Sequence, residues 1–287
     1  MTKIRLLALA AVVAGTANLP VFGYAEDISG RALASATPNW TGLYIGAAFG
    51  GRRTDSDISL IAIDEVSLGG VQHDLPICTT NIPPCGTQAS FDKTAFRSAV
   101  YGGYNWQFAE RWLGGIEGDW GWANNSSTED GFKYFQANPG VLPDSSYTIR
   151  SNWDASARAR IGFLATPSVL VFVTGGVSWL HTEITSDCGP ISCFTDTYKP
   201  TELTRSTTWS GWTVGGGIEA MLTANWIVRA EYRYADYGSK SFLDSRACSP
   251  TPSPSCGNQT SLDIAYNLSM KTHTATIGLA YRFGPSR

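Results

Sequence analysis

Residues 226–240 read WIVRAEYRYADYGSK, and the parity of this stretch carries the fold. Trp226, Val228, Ala230, Tyr232 and Tyr234 fall on one parity, while Arg229, Glu231 and Arg233 fall on the other. Residues two apart share a face in a strand, so the segment has one apolar, aromatic side and one charged side. The last stretch, 269–283, repeats the arrangement: Ala275, Ile277, Leu279, Tyr281 and Phe283 oppose Thr274, Thr276, Gly278, Ala280 and Arg282.

Working outward, strand-like segments fall at 40–52, 94–108, 112–124, 148–165, 169–182, 207–222, 226–240 and 269–283. Three connections are tight: Ala109-Glu110-Arg111, Thr166-Pro167-Ser168 and Thr223-Ala224-Asn225. The other four, near 53–93, 125–147, 183–206 and 241–268, are long and rich in Pro, Ser, Thr and Asn. The alternation of long and short connections predicts an all-β, eight-stranded antiparallel transmembrane barrel with short periplasmic turns and four long extracellular loops. Both termini are then expected in the periplasm.

Alternation alone also suits a soluble sandwich, and the aromatic residues decide against it. Trp106, Phe108, Trp112 and Trp226 stand beside tight turns, whereas Trp120, Trp122, Trp153, Trp179, Trp209 and Trp212 fall toward the opposite strand ends. Two aromatic girdles at the bilayer interfaces are expected of a membrane barrel. The mean hydropathy of −0.09 is compatible with this, because lipid-facing and water-facing residues cancel in the average.

Lys3 and Arg5, the apolar run Leu6–Val13 and the small residues before Ala25 read as a signal peptide over 1–25, followed by a periplasmic lead-in over 26–39 and the barrel over 40–287. No apolar run reaches the roughly 20 residues of a transmembrane helix. A formal net charge of −3 gives no basic surface, which argues against a nucleic-acid partner.

Side by side, WTGLYIGAAFGG, VYGGYNWQF, LGGIEGDWGW, ARARIGFLA, TVGGGIEAML, VRAEYRYADYG and TATIGLAYRF resemble the small outer-membrane proteins of alphaproteobacteria. This is the outer-membrane immunogenic and haemin-binding protein group, with its OmpA-like barrel domain, and the likeness runs from Trp40 to Phe283. It implies an outer-membrane location and a surface or porin-like role, with no shared catalytic site. Gly284-Pro285-Ser286-Arg287 depart from the terminal aromatic usual in such chains. No peptidoglycan-binding module is expected after Phe283, and the partners expected are outer-membrane lipid and ligands of the loops.

By parity the lumen should hold Arg97, Glu117, Asp119, Asp154, Arg158, Arg160, Glu219, Arg229, Glu231, Arg233 and Arg282. Eight strands leave an interior only wide enough for side chains, and unpaired buried charges are costly, so a sealed ion-paired core is expected over a conducting pore. Of the six cysteines, Cys78 and Cys85 share the first loop, Cys188 and Cys193 the third, and Cys248 and Cys256 the fourth. Three local disulfides are the simplest connectivity in an exported chain, although crossed pairs satisfy the same counts.

His73, His181 and His273 map to the extracellular half. The resemblance makes His73 a haem candidate, but His181 shares parity with Trp179 and His273 with Phe283, which points both outward. No cofactor, metal or enzymatic activity is expected: HExxH, GxSxG and P-loop patterns are absent, and Gly215-Gly216-Gly217 lies inside a strand. A lipid A acyltransferase of this size would need an apolar interior, and this one is charged.

Overall fold

The structure is a computed structural model, and it describes residues 39–67, 72–74, 88–130, 145–188, 198–199, 202–248 and 259–283. The expected signal peptide, most of the lead-in and the four terminal residues lie outside that set. The strands are β1 (Gly42–Ser67), β2 (Gln72–Asp74), β3 (Gln88–Gln107), β4 (Trp112–Asp130), β5 (Ser145–Thr166), β6 (Val169–Cys188), β7 (Tyr198–Lys199), β8 (Glu202–Met221), β9 (Trp226–Cys248) and β10 (Gln259–Phe283). The eight long ones form an antiparallel ring in the order β10-β1-β3-β4-β5-β6-β8-β9, closed by β9 on β10. The short β2 lies on β1, and β7 lies on β9.

Around the turn-side half, Leu43, Ile45, Phe49, Val100, Ile116, Val173, Ile218 and Ile277 point outward and are exposed. Trp106, Phe108, Trp112, Phe163, Trp226 and Phe283 ring the turn end, and Trp120, Trp122, Trp179 and Trp212 the other border. Ten residues separate Trp112 from Trp122, roughly 33 Å of strand or about 25 Å of height at barrel tilt, the height of a lipid-facing band.

Trp209 corrects the expected girdle. It is fully buried in the interior, and its indole Nε1 donates to Thr182 Oγ1 at 2.8 Å. Its parity is that of Glu219 rather than of Trp212, so it faces the lumen. Trp40 is likewise buried, and its Nε1 donates to the Pro167 carbonyl at 3.0 Å, at the turn end.

The strands also run past the ends expected for them: β1 continues to Ser67 rather than 52, and β10 starts at Gln259 rather than 269. Beyond the second aromatic border the alternation inverts. On β10 the inward residues change from Thr276, Thr274 and Thr272 to Met270, Leu268 and Tyr266, all buried. Asp55, Asp57, Ser241 and Asn267 now make exposed contacts outside. Water surrounds this part of the barrel, so polar residues face out, and the inside becomes an ordinary apolar core of Ile58, Phe91, Ile149, Leu180, Ile184, Trp209, Phe242, Tyr266 and Leu268.

The ring does not stay fully hydrogen-bonded there. The β3–β4 ladder stops at Ser98 opposite Trp122, and the β8–β9 ladder at Trp212 opposite Asp236. The β9–β10, β10–β1 and β1–β3 ladders continue, as do β4–β5, β5–β6 and β6–β8. The loop-side half is therefore two four-stranded sheets with the apolar core between them. Both ladders end beside a girdle tryptophan, which has a physical cause. Unpaired backbone groups are intolerable in hydrocarbon, but water satisfies them above it.

Candidate functional site

Between the apolar core just described and a lower one at the turn end (Trp40, Tyr44, Tyr101, Leu113, Leu164, Leu170 and Phe172) lies a belt of charge. Inward parity on the membrane-level segments places each side chain there. Asp154 on β5 receives Arg52 from β1 at 2.5 Å, Arg97 from β3 at 2.6 Å and Arg233 from β9 at 3.2 Å. Asp119 on β4 receives Arg97 at 2.5 Å and Arg233 at 2.7 Å, and it accepts the Ser156 hydroxyl.

One layer closer to the turns, Glu117 accepts from Arg158 at 2.5 Å, from Arg229, and from the Tyr44 hydroxyl at 2.6 Å. Glu219 pairs with Arg229 at 2.5 Å and with Arg160 at 3.0 Å, and Glu231 pairs with Arg158. Aromatic faces cover the remaining sides of two guanidiniums: Arg160 lies 4.3 Å from the Phe172 ring centre, and Arg229 lies 4.4 Å from that of Tyr101.

The structure thus brings Arg97, Glu117, Asp119, Asp154, Arg158, Arg160, Glu219, Arg229, Glu231 and Arg233 into one network. Arg282 stands apart from it. Its guanidinium donates to the backbone carbonyls of Thr41 at 3.1 Å and Ala224 at 2.7 Å, and so pins the turn end. Arg52 joins the network in its place, fully buried, donating also to the carbonyls of Ala123 and Ser151. Sequence reading missed it because the first strand was expected to end at residue 52, at the rim. With β1 running to Ser67, Arg52 is mid-strand and faces in.

The belt crosses the lumen. In the ring order β9 and β4 lie four places apart out of eight, and Arg229–Glu117 and Arg233–Asp119 join them. Six arginines meet five carboxylates with every carboxylate shared, so the arrangement fixes charge rather than presenting a nucleophile or a free base.

The histidines do not converge. His181 stacks on Trp153 with ring centres 5.3 Å apart, and its nitrogens meet the hydroxyls of Thr208 and Ser206. His273 Nδ1 is 2.6 Å from the Tyr232 hydroxyl. Three strand spacings separate β6 from β10, roughly 14 Å. The His73 backbone pairs with Glu65, and its side chain lies outside the described residues. Cys78, Cys85, Cys193 and Cys256 also lie outside them, while Cys188 and Cys248 end β6 and β9.

The sequence model of the outer membrane protein beta-barrel domain matches residues 28–283. The chain belongs to this family. It is 26% identical over 288 residues to the 31 kDa outer-membrane immunogenic protein of Brucella melitensis, covering 99% of this chain and 100% of the relative. It is 30% identical over 151 residues to the 22 kDa outer membrane protein of Rhizobium leguminosarum bv. viciae, covering 52% of this chain and 57% of that one. Among solved structures, the outer membrane protein OprG from Pseudomonas aeruginosa covers 87% of this chain and 99% of its own at 13% identity, with a TM-score of 0.47. This outer-membrane barrel therefore has its tight turns in the periplasm, and the two-sheet half stands outside the cell.

Proposed function

We propose that the protein is an integral surface barrel of the outer membrane with a structural, envelope-maintaining role, closed to solutes at membrane level and presenting disulfide-stapled loops. One observation carries this reading: the ion pairs Arg229–Glu117 and Arg233–Asp119 span the lumen between opposite strands, with Glu117 and Asp154 each held by two or more arginines. Buried pairs of this kind persist only when both partners are satisfied, so a solute path would have to break several at once. The loop cysteines complete the reading as the local pairs Cys78–Cys85, Cys188–Cys193 and Cys248–Cys256, each closing a short loop in an oxidising compartment.

Planar-bilayer recording of the refolded, heat-modifiable barrel tests the closure, with Arg158→Ala and Glu231→Ala beside the parent. A silent parent with leaky variants is expected. Discrete parental openings that the two substitutions alter would replace the reading with porin-like diffusion. Nonreducing peptide mapping tests the staples: loop-to-loop linkages would remove them from the proposal. Haemin titration of the parent, with no Soret shift expected, tests binding at the outer face.

A further inference from the structure

Asn105 stands on the inward face of β3 at the turn end of the lumen and is 1% exposed. Neither its amide oxygen nor its amide nitrogen meets a protein partner among the described residues. It pairs in the wall with Gly115 of β4, which pairs in turn with Arg160 of β5. A Cβ placed on Gly115 would lie 2.7 Å from Asn105 Oδ1 and 3.0 Å from Arg160 Cγ, so both side chains flank the same small volume above the glycine. Arg160 Nε, two bonds beyond that carbon, also lacks a protein partner, although Nη1 of the same guanidinium donates to the Tyr44 hydroxyl at 3.0 Å. Two donors and one acceptor, on two buried side chains, are thus left over in one corner of the lumen.

The corner is shut on both sides. Toward the turns lie Leu113 and Trp40, both fully buried. Trp40 crosses the mouth: its Nε1 donates to the Pro167 carbonyl at 3.0 Å, and its backbone N–H donates to Gln107 Oε1 at 3.3 Å, two residues from Asn105. Gly42, opposite Asn105 on β1, has a φ of +144°, a conformation that favours glycine, where the chain passes from Trp40 into the strand. Toward the outside stands the charge belt, beginning with Glu117 between Arg158 and Arg229. Bulk water does not reach Asn105, yet buried amides of folded proteins pair with protein groups or with ordered water.

We infer that Asn105 and Arg160 Nε hold an enclosed water molecule between Trp40 and the charge belt. A buried water typically makes about three hydrogen bonds to polar groups that otherwise have no partner. Its oxygen accepts from Arg160 Nε and Asn105 Nδ2, and one of its hydrogens goes to Asn105 Oδ1. An anion would leave Oδ1 without a donor, and a cation would face the Arg160 guanidinium. Trp40 is then a stopper distinct from the belt, because this water exchanges with the periplasm only when the indole leaves its seat.

The test uses the refolded barrel in nanodiscs with isotope-labelled asparagine and follows magnetisation transfer between water and the Asn105 side-chain amide protons. These are identified by their loss in Asn105→Leu. The expected result is a cross-peak with the sign of a long-lived bound water in the parent, lost or reversed in Trp40→Ala. No such cross-peak in the parent overturns the proposal, and an unchanged one in Trp40→Ala overturns the stopper. Urea unfolding of Asn105→Leu is a second reading. An asparagine with no partner is better replaced by a leucine of similar size, so a higher midpoint overturns the site; removing a water-held asparagine leaves Arg160 Nε unpaired, so a lower midpoint upholds it. A parental midpoint raised by chloride but not by sulfate at equal ionic strength makes the occupant an anion and overturns the water. If Asn105→Leu does not fold, the parental cross-peak, assigned through its chain neighbours, decides alone.

Discussion

Arg233 Nη1 and Asp119 Oδ1 meet at 2.7 Å although their strands stand on opposite sides of the ring. Removing either partner alone breaks a buried ion pair, a loss of up to about 3–5 kcal/mol, while Asp119 keeps Arg97 and Arg233 keeps Asp154. Arg233→Ala and Asp119→Ala should each lower stability by that order in urea unfolding from vesicles. The double variant Arg233→Met/Asp119→Leu should cost much less than their sum, because it buries no lone charge.

Asp154 should be a more sensitive carboxylate of the belt than Glu231. It takes three arginines, Arg52, Arg97 and Arg233, whereas Glu231 sits at the margin with Arg158 and, at 3.6 Å, Arg229. Asp154→Asn is expected to lower the gel-shift midpoint further than Glu231→Gln. The reverse ranking would mean that the belt is held mainly from its turn side.

Gly121 is small for a reason other than backbone freedom, since a Cβ there would overlap the Arg97 guanidinium. Gly121→Ala must push Arg97 off Asp119 and Asp154, and overpacking of this kind costs about 1–3 kcal/mol. Gly118→Ala is the control, because its nearest obstacle is the Ser156 carbonyl at an ordinary 3.5 Å. Unfolding midpoints of the two variants should separate clearly.

Single-tryptophan variants in brominated-lipid vesicles check the two faces directly. Trp106, Trp112 and Trp226 point outward and should be quenched, whereas Trp40 and Trp209, fully buried inside, should keep their emission. Quenching of Trp209 by lipid bromine would return it to the girdle.

Amide exchange should report the broken β8–β9 ladder. Residues Ser239–Arg246 lack a ladder on one side, so about half of their amides should exchange faster than those of Thr148–Ser151, which are paired on both sides. Equal protection would mean that the wall is continuous there.

The membrane-level part of this architecture is written plainly in the chain. Arg229, Glu231 and Arg233 against Val228, Ala230 and Tyr232 give the register, and the tight turns give the strand order. The part above it was hidden because the code reverses at the water boundary. Past Thr272 the inward residues become Met270, Leu268 and Tyr266, so a reader following apolar-out parity stops where the lipid stops. The same boundary concealed Arg52, while Trp209 was placed by proximity to Trp212 when its parity with Glu219 was available. The β8–β9 break was beyond reach, since ladder loss there leaves only Gly238 as a local mark.

Both ladder breaks fall between strands joined only by a periplasmic turn, β3 with β4 and β8 with β9. Each outer sheet therefore consists of two complete hairpins that return to the cell-surface side, with its own pair of loops. Recombination between relatives could exchange one such pair as a cassette, with its breakpoints in the periplasmic turns. The membrane ring, common to both cassettes, would set the matching rule: the incoming strands must bring carboxylates and arginines that complete the belt left behind.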